Sequence, residues 1–141
     1  MPPVFVYGTL LFAEVTSALG IRARRLTAAT LPDFQRQTVR LSPRGNFPAI
    51  VSRAGDSVTG ALLQLDSQQD LDLMDEFEGT AEGYYERRLV TVLAEQREQE
   101  AFAYVCGPPL QPFLDGAWDA ELFRIQDLAN YVHGLRDHRI S

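Results

Sequence analysis

One helix, with both of its ends written into the sequence, stands in the middle of a chain whose other segments are mostly patterned for strands. Ser67 carries the small hydroxyl that caps a first helical turn, and Asp70 three residues on can close a capping box as glutamate does. Apolar residues then recur at helical spacing as far as Glu78, where Gly79 supplies the left-handed residue on which helices end. The flanking segments are short, apolar or alternating, and are punctuated by Gly, Pro and Asp. Mostly strands with a few helices, in one domain, predicts an α+β fold.

The other elements follow from the same signals. Val4-Phe5-Val6 reads as a buried first strand entering a tight loop at Tyr7-Gly8, and residues 12–19 as a short helix stopped by Gly20. Residues 24–31 and 34–41 read as two strands separated by the turn pair Pro32-Asp33, with Ser42-Pro43-Arg44-Gly45-Asn46 as loop. Residues 49–51 and 58–65 form an expected hairpin around Ala54-Gly55-Asp56. Residues 84–93 alternate polar and apolar as a strand does, with 101–105 as partner. Pro108, Pro109 and Pro112 then stiffen a loop. A final helix is expected over 119–136, with Leu122, Ile125, Leu128 and Val132 on one face.

Composition narrows the function classes. A chain of 141 residues suits one domain, here spanning 1–141. The net charge of −6 opposes a phosphate backbone, and Arg22, Arg24 and Arg25 are too sparse to track a nucleic acid. All 13 basic residues are Arg, which removes Schiff-base and P-loop lysine chemistry. Cys106 is the single cysteine, so an intrachain disulfide and a cysteine metal knuckle are excluded, and it reads as a small core residue. Met1-Pro2-Pro3-Val4 lacks the charged head and apolar run of a leader, and no stretch reaches membrane-spanning length. A cytoplasmic protein with no nucleic-acid or membrane partner is expected. His133 and His138 do not form a ligand pair and read as surface residues, and Trp118 reads as a loop anchor.

Two features carry candidate chemistry. At roughly 100° per residue, Leu71, Leu73, Met74 and Phe77 occupy about half the helical wheel, and Asp72, Asp75 and Glu76 lie on the other half. Glu78 falls between the directions of Leu71 and Met74, on the apolar arc. Desolvation there, and the negative end of the helix dipole, both disfavour its charged form. A raised pKa is what a general acid–base needs near neutral pH. The wheel alone leaves a second orientation open, with the side chain rotated beside Gly79 into water. The loop Tyr7-Gly8-Thr9-Leu10 is the other feature. Gly8 allows close approach of a ligand to backbone, and the N–H groups after it can hold a carboxylate or phosphate. Tyr-Gly-Thr after a strand is, by itself, more often a plain turn.

Taken in order, these motifs resemble a known family. Tyr7-Gly8-Thr9-Leu10 after a strand, Phe47-Pro48-Ala49-Ile50-Val51, Val58-x-Gly60-x-Leu62, Leu73-Met74-Asp75-Glu76-Phe77-Glu78-Gly79, Tyr85-x-Arg87 and Ala103-Tyr104-Val105 are similar to the gamma-glutamylcyclotransferase-like family. The Tyr-Gly-Thr-Leu opening is nearer the branch of gamma-glutamylamine cyclotransferases and plant avirulence-induced relatives than the glutathione-related branch, which reads Tyr-Gly-Ser-Asn.

The resemblance implies a single-domain α+β fold built on a small mixed β-barrel flanked by a few helices, with the opening loop and Glu78 lining a cavity. It implies a reaction in which the substrate's own α-amine attacks its γ-carbonyl, giving 5-oxoproline and a free amine or amino acid. Glu78 is then the general acid–base, and the loop of Tyr7, Gly8, Thr9 and Leu10 the anchor for the substrate carboxylate. The nucleophile belongs to the substrate, so neither a metal nor a cofactor is called for, and the partner is a small gamma-glutamyl compound. Tyr85 and Tyr104 join Tyr7 as candidate cavity residues, each equally suited to packing the barrel. Arg87 binds a carboxylate or pairs with an acidic neighbour on its strand. A barrel of the same fold that binds a small metabolite or a partner protein without turnover is the competing reading.

Overall fold

Two unusually long strands, β2 (Ala23–Arg40) and β3 (Asn46–Leu65), pair antiparallel from Ala23 opposite Leu65 to Arg40 opposite Asn46 in the computed structural model, which describes residues 1–40 and 46–140. Their length corrects two expectations. Pro32-Asp33 does not separate two strands, and Ala54-Gly55-Asp56 does not turn a hairpin. Both belong to one irregularity in the β2–β3 ladder, between the pairs Pro32–Ser57 and Phe34–Ser52. Asp33 and Gly55 take up the extra chain at φ 64° and 89°, and the Gly55 N–H donates to Asp33 Oδ1 at 3.0 Å. Local turn residues thus serve a bend in a continuous ribbon. The expected loop at 42–46 lies outside the described residues, except for Asn46, where β3 begins.

The remaining strands close this ribbon into a ring. β1 (Val4–Val6) lies antiparallel to β3, Phe5 opposite Leu62, and touches β5 (Arg97–Cys106) in parallel at Val4–Phe102. β5 pairs along its whole length with β4 (Tyr85–Ala94), through a turn at Glu95 and Gln96, both left-handed. β5 therefore starts earlier than the 101–105 expected of it. β4 meets β2 at Thr30–Leu93, which completes the circuit β3-β1-β5-β4-β2-β3. A further strand, β6 (Leu114–Ala117), adds to β2 after the prolines, which form a 3₁₀ turn over Pro108–Phe113. The α+β reading holds: a mixed, ring-like sheet with a few helices.

Two cores result. One is drawn from the strands and Tyr7, including Phe5, Leu31, Ile50, Leu62 and Val92; the other binds the sheet to the helices. α1 (Ala13–Leu19) and α2 (Gln68–Glu78) end on the expected glycines, Gly20 and Gly79, at φ 74° and 66°. The expected final helix is two, α3 (Ala120–Gln126) and α4 (Leu128–Ile140), interrupted at Asp127. The break shifts the phase of the apolar stripe. Phe123 goes inside against Trp118, Phe12 and Tyr131, while Leu122 and Ile125 are left exposed; Leu128 and Val132 are buried as expected. Cys106 and Trp118 are buried and His133 is exposed, as expected; the His138 side chain lies outside the description. Among the described residues no helix is long and apolar enough to cross a membrane.

Candidate active site

The capping pattern places α2 as the sequence implies. The Asp70 N–H donates to Ser67 Oγ at 3.3 Å, and the Ser67 hydroxyl donates to Asp70 Oδ2 at 2.8 Å. Asp70 has a second task, because its Oδ1 also accepts the Arg22 N–H at 2.9 Å. That bond and the Ser67 hydroxyl hold its carboxyl below the usual range. The start of α2 is thereby pinned to the start of β2. Leu71 and Met74 face the core, and the last turn delivers Glu78 to a cavity wall.

That cavity holds about 520 Å³, within the range of small-molecule sites. Its walls bring together all seven residues singled out by sequence: Glu78, Tyr7, Gly8, Thr9, Leu10, Tyr85 and Tyr104. Apolar and aromatic side chains, among them Phe47, Phe77, Leu110 and Phe113, fill in the rest. Glu78 is the one carboxyl, and no Arg, Lys or His joins it, among the described lining residues. Burial pushes its carboxyl up to about 8, and the negative Asp75 one turn back pushes the same way. The inward orientation on the wheel is therefore the one adopted.

The three tyrosines have their hydroxyls committed. Tyr7 donates to the Tyr104 carbonyl at 2.5 Å, Tyr85 to the Pro48 carbonyl at 2.7 Å, and Tyr104 to Asp75 Oδ1 at 2.6 Å. Burial raises the pKa of each, with the Glu78 charge adding to it, so all three stay protonated donors. They line the cavity and, through these bonds, brace its walls.

The loop is held from behind through its carbonyls. Arg36 Nη1 donates to Tyr7 O at 2.7 Å, Leu11 N–H to Gly8 O at 2.9 Å and Phe12 N–H to Thr9 O at 3.2 Å, while Arg25 donates to Leu11 O. The first three of these carbonyls share peptide units with the N–H groups of Gly8, Thr9 and Leu10. A carbonyl that already accepts a hydrogen bond polarises its own peptide and strengthens the N–H on the other side. Arg36 also stacks on Trp118 at 5.3 Å from the ring centre; burial lowers its pKa and Asp119 partly restores it. Gly8 is required by space: a Cβ there would lie 2.2 Å from Pro48 Cγ.

Sequence reasoning missed Asp75 and Arg36 and misplaced Arg87. Asp75 was grouped with the solvated carboxylates, yet it accepts from Tyr104 and, through Oδ2, from Arg87 Nη1 at 2.8 Å. The partner of Arg87 is thus on α2, not on its own strand, and its guanidinium also covers the Phe102 ring at 4.8 Å. The available signal was the wheel itself, where Asp75 lies only about 40° from Leu71, at the border of the apolar arc. Nothing local marks Arg36, whose partners come from the loop after β1 and from Trp118. Among the described residues no three His, Cys, Asp or Glu side chains gather as a metal ion requires.

Residues 4–120 match a family model described as "Gamma-glutamyl cyclotransferase, AIG2-like". Over 124 residues the chain is 36% identical to AIG2-like protein D of Arabidopsis thaliana, covering 86% of this chain and 78% of the relative. AIG2-like protein C of the same plant is 31% identical over 131 residues, covering 92% and 73%. Among solved structures, one titled gamma-glutamyl cyclotransferase superposes with a TM-score of 0.69 at 22% identity, covering 82% of this chain and 69% of the other, a likeness of fold.

Proposed function

This chain belongs to the gamma-glutamyl cyclotransferase, AIG2-like family, and from that premise we propose that it cyclises a gamma-glutamyl amide to 5-oxoproline, with Glu78 as the acid–base group. The observation that carries the reading is a carboxyl raised to about 8 on the wall of a 520 Å³ cavity that also contains the 7–10 loop.

In this reading the substrate's α-carboxylate lies against the N–H groups of Gly8, Thr9 and Leu10, whose polarised peptides favour an anion. Its α-ammonium comes to Glu78, and the arriving positive charge favours the ionised carboxylate. Glu78 then takes one ammonium proton, which frees the nitrogen lone pair to attack the γ-carbonyl carbon. The new C–N bond closes the five-membered ring. Glu78 returns its proton to the departing nitrogen as the old C–N bond breaks, and takes up the surplus proton of the ring nitrogen. Glu78 passes that second proton to the free amine, which leaves as an ammonium, and the carboxylate is regenerated with charge balanced. Holding the glutamyl chain curled supplies a further share of the rate through proximity. Tyr7, Tyr85 and Tyr104 serve as walls against which the curled substrate packs. The Tyr-Gly-Thr-Leu opening favours gamma-glutamylamines as the substrate class.

The test is 5-oxoproline release over a panel of gamma-glutamyl amino acids and gamma-glutamylamines, with Glu78→Gln as control. Release by the parent and none by a folded Gln variant is the expected result. Calorimetric binding without product from any member of the panel would replace the enzyme with a binding protein. Undiminished turnover by Glu78→Gln would remove Glu78 from its role.

A further inference from the structure

Asp75, Arg87 and Tyr104 form a hydrogen-bonded unit around the last turn of α2 that takes no proton in the proposed reaction. Arg87 on β4 and Tyr104 on β5 are directly opposite each other in the β4–β5 ladder, so their side chains stand side by side on one face. Each donates to a different oxygen of Asp75: Arg87 Nη1 to Oδ2 at 2.8 Å and Tyr104 Oη to Oδ1 at 2.6 Å. The Asp75 main-chain carbonyl also accepts from the Gly79 N–H, and from the Thr80 hydroxyl at 3.4 Å. Asp75 therefore fastens the end of α2 to the sheet by its side chain and closes the helix by its backbone. Tyr104 carries the connection on, because its own carbonyl accepts the Tyr7 hydroxyl. The wall that bears Glu78 and the wall that bears the loop are thus joined at one residue.

We infer that Asp75 is the positioning residue of this site: clamped by Arg87 and Tyr104, it sets Glu78 at a fixed place opposite the loop and gives it a negative neighbour partly offset by the Arg87 guanidinium. The inference rests on the proposed acid–base role of Glu78, but its electrostatic half stands without substrate. Asp75 on α2 is the charged group that acts on Glu78. The neutral hydroxyls of Tyr7, Tyr85 and Tyr104 face it from the loop, β4 and β5, and Tyr131 of α4 lines the same cavity. Arg87 grips the Asp75 carboxylate and reaches Glu78 by way of it.

Two substitutions should therefore move Glu78 in opposite directions. Asp75→Asn keeps an acceptor of the same size and removes the negative neighbour, so the Glu78 midpoint falls. Arg87→Gln keeps a donor to Asp75 and removes the offsetting charge, so the midpoint rises. A merely structural clamp would loosen in both variants and move Glu78 the same way in each, or not at all.

The measurement is a carbon NMR titration of glutamate carboxyls in the substrate-free protein, with Glu78→Gln identifying the resonance. Shifts of about one pH unit, down in Asp75→Asn and up in Arg87→Gln, are expected. The acid–base limb of kcat/KM should follow both. Unshifted midpoints, or two shifts of the same sign, overturn the inference. Should Asp75→Asn fail to fold, Arg87→Gln decides by its sign alone, an unmoved or lowered midpoint being the overturning result. If the parent protein releases no 5-oxoproline, the proposed function fails while the titration still reads Asp75.

Discussion

The two walls of the cavity are backed by opposite charge and are built by opposite means. The 7–10 loop is held by its backbone: Arg36 donates to the Tyr7 carbonyl and Arg25 to that of Leu11 just beyond the loop. The peptides between have their carbonyls engaged and their N–H groups strengthened. The α2 wall is held by a side chain, Asp75, and presents another, Glu78. A positive backing suits a wall that receives an anion; a negative backing suits one that keeps a proton until an ammonium arrives. The loop should therefore tolerate changes in most of its own side chains and lose ligand affinity, not chemistry, when a supporting arginine is removed. The glutamate wall should fail at the side chain itself.

The largest break in this contrast is Glu78→Gln, expected to lower turnover by about 10²–10⁴-fold while the fold is kept, as 5-oxoproline release and thermal melting would show. The same variant reverses its effect when stability is read. Glu78 titrates near 8 in the folded chain against about 4.5 unfolded, so the unfolded state ionises first as pH rises. Stability from this group is complete below about 4.5 and lost progressively up to about 8. Denaturation midpoints should therefore fall for the parent between those values and stay flatter for Glu78→Gln, leaving the inactive protein the more stable one in mild alkali. Equal pH dependence of the two would mean that Glu78 is not desolvated.

On the other wall, Gly8→Ala drives a methyl into Pro48 Cγ, with an expected cost of about 1–3 kcal/mol in denaturant unfolding and weaker binding of a gamma-glutamyl ligand. An alanine variant as stable as the parent would show that the loop does not lean on Pro48. The smallest effects come from the supports themselves. Arg36→Met should weaken ligand binding about ten- to hundred-fold through a lost charge-assisted hydrogen bond, chiefly in KM and not in kcat. Arg25→Ala, at the more exposed end of the loop, should change KM less. Equal losses at the two arginines would dissolve the ranking.

How much of this was legible in the sequence depended on how far apart the partners lie. The caps of α2 are local and legible in Ser67 and Gly79, and the wheel puts Glu78 on the apolar arc. Only the packed structure decides between the inward rotamer and one turned beside Gly79 into water. Gly8 was singled out for close approach of a ligand, whereas the contact that demands a glycine there is Pro48, 40 residues away on β3. Pro32-Asp33 and Gly55 are turn residues by every local criterion, and only the pairing of β2 with β3 makes them the two halves of one bulge. Asp75 looks like any solvated acid on its helix until β4 and β5 set Arg87 and Tyr104 side by side against it. Asp127 is unremarkable as a letter, yet the break there turned Phe123 inward and Leu122 outward.

The ring itself is unevenly sewn. β2–β3 and β4–β5 are stitched along their lengths, but β1 meets β5 at one residue pair, and so do β2 and β4. Such a circle is two sturdy hairpin-like ribbons joined at narrow seams, and local opening starts where fewest bonds must part. One of those seams, Val4 against Phe102, lies beside the strand that leads into the 7–10 loop. Residue-by-residue amide exchange should thus find the fastest-opening part of the sheet at these seams, giving the cavity a natural hinge line that needs no separate lid.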